Sequence, residues 1–492
     1  IRDRNTPMPD KQLVVRGLQQ ILPQACVLHD EEDLRPYECD GLSAYQQVPM
    51  VVTLPETIRQ IEDILAFCSR EKIPVVARGA GTGLSGGALP LEHGILMSLA
   101  RFNRILEIDT ENRTARVQPG VRNLAISEAA GRYGLYYAPD PSSQIACSIG
   151  GNVAENAGGV HCLKYGLTVH NILKLEVITM QGEHLTIGSD ALDSPGYDLL
   201  ALMTGSEGLL GVITEITVKL LPEPEAANVI LAAFDDVATA GQAVSNIIAD
   251  GILPAGLELM DNAAIRAADD FVQAGYPRDA AAILLCEIDG TRSEVEDRLA
   301  QAQQVLNMSA ATHIRVARDE QERAKFWAGR KAAFPAVGRL SPDYYCMDGT
   351  IPRYQIASVL TRISELSNEY GLPIVNVFHA GDGNLHPLIL YDANIDGELE
   401  RTEELGGKIL EVCVEAGGTI TGEHGVGVEK INQMCVQFDA SELTQFHAIK
   451  HASDPDTLLN PGKAIPTLHR CAEFGAMHVH HGQLPHPELE RF

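Results

Sequence analysis

Arg78-Gly79-Ala80-Gly81-Thr82-Gly83-Leu84-Ser85-Gly86-Gly87 carries five glycines in ten residues. It follows Pro74-Val75-Val76-Ala77, an apolar run that reads as a buried strand, and it precedes a second strand signal at Ile95-Leu96-Met97-Ser98-Leu99. Gly81 to Gly86 formally matches G-x-G-x-x-G. A dinucleotide fingerprint of that kind also needs a helix opening at its third glycine and an acid about 20 residues on. Gly87, Leu89-Pro90 and the strand at 95 leave no room for that helix, so the Rossmann reading fails on context. What remains is a loop of backbone N–H groups that glycine leaves unobstructed, suited to a pyrophosphate.

Two more glycine-dense stretches lie downstream. Ser148-Ile149-Gly150-Gly151-Asn152 runs on to Asn156-Ala157-Gly158-Gly159, and Gly205-Ser206-Glu207-Gly208-Leu209-Leu210-Gly211 follows. One nest would hold a small anion; three imply a long cofactor gripped along its length.

The totals narrow the field. A chain of 492 residues, 45% hydrophobic and 21% charged, is an ordinary globular protein with roughly two to four domains. A net charge of −28 excludes nucleic acid as a natural partner, since the phosphate backbone demands a basic face. An anionic lipid surface would repel it too, so membrane association is expected only through partners. No apolar run approaches the roughly 18–20 residues of a spanning helix. Ile1-Arg2-Asp3-Arg4-Asn5 has no apolar signal core. The ten cysteines include no Cys-x-x-Cys pair, which argues against a cluster and for reduced thiols in the cytoplasm.

Along the chain, helical periodicity at 11–28 and 57–69 brackets the first strands. A hairpin is expected from 173–179 and 185–187, and a strongly alternating strand at 211–221 ends at Pro222-Glu223-Pro224-Glu225. Strands and helices alternate from 229 to 307, predicting helices over one face of an antiparallel sheet. The expected division is 1–223, 224–410 and 411–492, the last segment mostly helical.

The three glycine stretches, with Pro139-Asp140-Pro141-Ser142-Ser143 and Asn460-Pro461-Gly462-Lys463, closely resemble the vanillyl-alcohol oxidase / p-cresol methylhydroxylase family over nearly the whole chain. Tyr37-Glu38-Cys39-Asp40-Gly41 and His469-Arg470-Cys471-Ala472-Glu473-Phe474 resemble its glycolate- and D-lactate-oxidising branch. The resemblance implies an α+β fold: a two-subdomain FAD-binding domain of the p-cresol methylhydroxylase type, an antiparallel-sheet-plus-helices cap, and a C-terminal helical segment returning to the FAD domain. It implies that Arg78, Gly79, Ala80, Gly81, Thr82, Gly83 and Ser85 cradle the pyrophosphate. Ser143, Gly150, Gly151, Asn152 and Asn156 would line the flavin and ribityl chain, with Glu207, Val212 and Ile213 near the adenosine half and Asn460 completing the site. The first loop carries Thr82 and no histidine, so non-covalent FAD is expected.

The second half carries its own cluster. In His379-Ala380-Gly381-Asp382-Gly383-Asn384-Leu385-His386 the turn formers at 381–383 would fold the flanking strands (374–378 and 388–391) into a hairpin with the histidines facing each other. Thr421-Gly422-Glu423-His424-Gly425 adds a carboxylate and an imidazole. His379, His386 and Glu423 form a plausible divalent-metal site, with zinc, manganese and iron all open. His424 is then the expected base, taking a hydroxyl proton while hydride leaves for flavin N5. Asp382 reads as a turn residue. Arg330 sits where the resemblance places a carboxylate-gripping arginine, with Lys331 as the neighbouring competitor. Cys346 stands where relatives with longer substrates carry a lysine, which favours a short acid. His469, Cys471, His478, His480 and His481 match no tetrahedral metal site, and a docking or solvated tail is the preferred reading.

The expected activity is FAD-dependent oxidation of a small 2-hydroxy acid, glycolate first and D-lactate second. Electrons would pass to iron–sulfur and second flavin-type subunits of a glycolate oxidase complex, peripheral at the inner membrane through those partners. A D-2-hydroxy-acid dehydrogenase acting alone, a metallohydrolase using the histidine–glutamate site, and a non-catalytic flavin-binding subunit are the alternatives.

Overall fold

The computed structural model describes residues 10–191, 196–467 and 471. The first glycine stretch leaves Val75–Arg78, and the chain reaches the next strand, Ile95–Ser98, without an intervening helix. These two strands and Val51–Thr53 are parallel, with Val27–Leu28 antiparallel at the edge. The helix Ile58–Glu71 opens on a capping box from Thr57 and Gln60, and it buries Ile61, Ile64, Leu65 and Cys68 at spacings of three and four. Its apolar stripe joins the strands in one core with Val75 and Ile95.

A five-stranded antiparallel sheet follows, ordered Ile105–Asp109, Thr114–Val117, Val212–Lys219, Ile172–Ile178, His184–Gly188. The expected hairpin is its outer pair. The short helix Ile149–Glu155, opened by Ser148 as N-cap, lies inside the second glycine stretch. Periodicity in a seven-residue segment holding two glycines is too brief to reveal it.

From Ala226 the chain builds a seven-stranded antiparallel sheet. Its order is His313–Val316, Ala226–Phe234, Ala282–Gly290, Gly256–Asp261, Ile374–His379, Pro387–Tyr391, Asp343–Cys346. Helices cover both faces, which corrects the one-face expectation. Val237–Ala249, Arg292–Met308, Ile356–Tyr370 and Glu398–Glu415 pack into one core, and Asn262–Val272 and Glu320–Val337 into another. The reason is visible in the strands: Ala282–Gly290 is buried at eight consecutive positions, so neither face is left for water.

The expectation of reduced thiols fails at one pair. Cys435 and Cys471 form a disulfide with Cα atoms 5.2 Å apart, and the other eight cysteines are free. His469, His478, His480 and His481 lie outside the described residues. Among the described residues no helix is long and apolar enough to cross a membrane.

Candidate active site

A cavity of about 430 Å³ runs between the glycine stretches and the second-half cluster. Arg78, Gly79, Ala80, Gly81, Thr82, Gly83, Ser143, Gly150, Gly151, Asn152, Glu207 and Ile213 all line it. So do Lys331, Phe334, His386, Glu423 and His424 from the other half of the chain. The glycines are placed as a cradle. A Cβ at Gly83 would find nothing nearer than Glu155 Oε1 at 4.0 Å, and one at Gly151 would meet only Ser148 Oγ. Side chains there would fill the cavity itself. Gly81 has φ +72, and a Cβ would strike the Arg78 guanidinium. That guanidinium is held by the Cys39 carbonyl at 2.6 Å. Unobstructed N–H groups along one wall fit an extended dinucleotide such as FAD.

Four expected contacts do not reach the cavity wall. Ser85 is fully buried behind the loop, its carbonyl accepting from the Val428 and Glu429 N–H groups. Asn156 caps its helix at φ 55 and accepts from Val169 N–H at 2.9 Å. Val212 points into the core of the first sheet. Asn460 Nδ2 donates to the carbonyls of Gly87 (3.0 Å) and Glu207 (2.7 Å), bracing two cavity loops. Glu207 lines the cavity, but its carboxylate accepts from Val426 and Gly427 N–H, each at 2.7 Å. It therefore ties the third glycine stretch to the His424 loop. Burial raises the pKa of Glu207 and of Glu155, and for Glu155 the Glu207 charge adds to the rise.

The histidine–glutamate cluster rests on cross-strand register. His379 ends Ile374–His379, and Glu258 on Gly256–Asp261 is its direct partner. Glu258 Oε1 lies 2.7 Å from His379 Nδ1, leaving His379 Nε2 toward Glu423 Oε1 at 3.5 Å. His386 Nε2 lies 3.0 Å from the same oxygen, while its Nδ1 faces the Met347 carbonyl at 3.3 Å. Each imidazole thus has one nitrogen held by an acceptor and the other turned inward, the arrangement that orients ligating histidines. Buried Glu423 Oε2 has no partner. Burial opposes its charge, yet hydrogen bonds from His379 and His386 hold Glu423 well below the usual carboxylate range. Ligand atoms of His379, His386 and Glu423 lie within 4.8 Å of one another. Two imidazoles and a carboxylate, one oxygen of which is orphaned, fit a divalent cation.

Asp348 aligns the His424 loop. It accepts from the backbone N–H of Gly422, Glu423 and His424 and from Thr421 Oγ1 and Lys430 Nζ. Burial opposes the Asp348 charge, but His424 and Lys430 hold its carboxyl far below the ordinary range. The His424 ring stacks on His386, centroids 5.1 Å apart. Its buried Nδ1 has no partner, and burial pushes the imidazole down to about 4. It is therefore neutral near pH 7.

Arg330 does not line the cavity. It is 2% exposed, and its Nε donates to Glu258 Oε2 at 2.7 Å, with Nη2 left unpartnered. Lys331, one residue on, does line the cavity. Three organising residues escape sequence reasoning: Glu258, Asp348 and Lys430. Glu258 leaves a faint trace, a carboxylate in the apolar run Gly256-Leu257-Glu258-Leu259.

The chain is similar to known proteins along its whole length. The chain matches the model of the FAD binding domain over residues 49–188 and that of FAD linked oxidases, C-terminal domain, over residues 223–464. It is 66% identical over 490 residues to glycolate oxidase subunit GlcD of Escherichia coli K12, covering 100% of this chain and 98% of that one. It is 31% identical over 460 residues to a D-lactate dehydrogenase of Anaerostipes hadrus, covering 92% and 96%. The fold is also that of p-cresol methylhydroxylase solved with substrate bound, at TM-score 0.79, 17% identity, and coverage of 93% and 97%. On its glycine-lined cavity, the two matched models and identity across its whole length, the chain belongs to the FAD-linked oxidases.

Proposed function

We propose that this chain oxidises glycolate to glyoxylate, and D-lactate to pyruvate, on non-covalently held FAD. The reading is carried by one observation: the same cavity is walled by the glycine cradle and by His386, Glu423 and His424. Bound FAD supplies the acceptor for the electron pair of the C2–H bond, and a divalent ion on His379, His386 and Glu423 supplies Lewis acidity toward the hydroxyl. His424, neutral and with an unpartnered nitrogen, takes the hydroxyl proton. Lys331 offers an ammonium at the same end for the substrate carboxylate. Arg330 acts through Glu258, whose other oxygen orients His379. Phe334 and Pro335 add apolar wall that keeps water from the reacting carbon.

As in a multi-subunit glycolate oxidase, electrons leave this chain for iron–sulfur and second flavin-type subunits, which also carry any attachment to the inner membrane. The test is anaerobic mixing of flavin-loaded, metal-replete protein with glycolate, D-lactate, L-lactate and 2-hydroxyglutarate. Glycolate and D-lactate should bleach the yellow flavin band fastest. Bleaching by none overturns the proposal.

A further inference from the structure

A second cavity, of about 690 Å³, has no lining residue in common with the first. Tyr45, Leu89, Tyr345 and Met347 wall it, together with the helix Glu398–Glu415 and the segment that carries Val428 and Glu429. Its charge is one-sided. Glu400, Glu403, Glu404, Glu411 and Glu429 line it against the lone ammonium of Lys408, which is already bound to Glu411 at 2.8 Å. Tyr45 and Tyr370 hydroxyls engage Glu403 and Glu404 without neutralising them.

A cluster of surface acids is often nothing more than a solvated face, but Glu429 is different. Its side chain is 2% exposed, and neither carboxylate oxygen has a hydrogen-bond partner. Lys430 Nζ stands 3.5 Å away, yet an ammonium has only three hydrogens. They go to Asp348 Oδ2 (3.0 Å), the Gly425 carbonyl (2.9 Å) and Thr421 Oγ1 (3.4 Å). The Glu429 carboxylate therefore shares an ammonium whose hydrogens are spent elsewhere, and its charge is only partly compensated. Burial raises its pKa to about 7.

The acids are spread rather than convergent. Among the described residues, none of the clusters tight enough to hold a metal ion includes a groove glutamate. Distributed negative charge suits several basic side chains better than one metal. Its wall residues touch the reaction site: the Met347 carbonyl faces His386 Nδ1, and the Val428 and Glu429 N–H groups hold the Ser85 carbonyl of the first glycine loop.

We propose that this groove docks a lysine- or arginine-bearing segment of the protein subunit that takes electrons from the flavin. The inference rests on the reading of this chain as one subunit of an oxidase complex. Bound there, the basic segment compensates the groove and seats the acceptor against the walls of the cofactor cavity.

The test co-produces the tagged chain with the other subunits of its oxidase and compares wild type with Glu400→Lys/Glu404→Lys, two exposed positions outside the catalytic machinery. The reversal should lower co-purifying partner by about tenfold or more. Flavin content and glycolate turnover with a small dye acceptor should stay unchanged. Carbodiimide treatment of the wild-type complex should join groove glutamates to partner lysines. Equal assembly of the variant, with cross-links mapping elsewhere, overturns the docking proposal. A variant altered only in self-association assigns the groove to a second copy and overturns it too. Wild type that assembles yet shows no dye-linked glycolate turnover leaves the groove standing and removes the activity reading instead.

Discussion

At the scale of single residues, the chemistry gathers around carboxylates that lack a free choice of partner. Glu258 binds Arg330 with one oxygen and His379 with the other, so Glu258→Gln should weaken metal retention by about 10–100-fold, read as metal content after dialysis. Because that change also strips the partner from buried Arg330, Glu258→Gln/Arg330→Met serves as the comparison that keeps folding intact. Lys331→Met should raise KM for glycolate while leaving kcat within a few-fold, whereas Arg330→Lys should act mainly on kcat and metal content. The opposite split would return the carboxylate contact to Arg330. Legibility followed sequence proximity. His379, His386, Glu423 and His424 announce themselves as short phrases between glycines. Glu258 does not, because its role exists only once strand Gly256–Asp261 pairs in register with Ile374–His379. Arg330 and Lys331 are adjacent, and which one faces the cavity depends on the rotation of a helix, Glu320–Val337, whose hydrophobic pattern is too weak to orient it.

At the level of elements, the first glycine stretch lacks the helix that a dinucleotide fingerprint requires. The run from Val75 to Ser98 is strand, loop, strand, and the loop carries no helix to present a dipole to a phosphate. On the proposed reading, its N–H groups take that role. Gly83→Val is the informative variant, since its side chain has open cavity before it rather than backbone. The protein should fold with near wild-type thermal stability and purify colourless. Gly427→Ala should behave differently: φ is +52 and the added Cβ would collide with the Ser85 carbonyl. There the loss should be in melting temperature, with flavin loss secondary. The double-sided cover of the seven-stranded sheet was not legible in the sequence. Alternation in Val229 to Phe234 is blurred by alanines at 232 and 233, and a strand buried on both sides reads the same as one buried against a single layer.

At the scale of the whole molecule, the lobe bearing the glycine loops is stitched to the seven-stranded lobe by partly buried charge. His161 bridges Asp140 (2.8 Å), beside the cavity residues 141–143, and Glu287 (3.3 Å), which also binds Arg323 at 2.8 Å and Trp327. Burial alone would lower its pKa, but the Asp140 and Glu287 charges and hydrogen bonds outweigh burial and raise it well above the ordinary value. Such a group contributes stability that is full below an unfolded pKa of about 6.5 and is lost as pH rises through the folded one. The melting-temperature gap between wild type and His161→Gln should therefore be widest near pH 6 and shrink steadily in alkaline buffer; a gap that grows with pH would refute the bridge. The decisive measurement for the account as a whole is anaerobic stopped-flow reduction of bound flavin by glycolate in wild type and in His424→Ala, each checked for equal flavin and metal content. Wild type should bleach within a turnover, and the variant should keep its full yellow band while bleaching about 10²–10⁴-fold more slowly. Equal bleaching rates in the two proteins would contradict the claim that one cavity joins the cofactor cradle to His424.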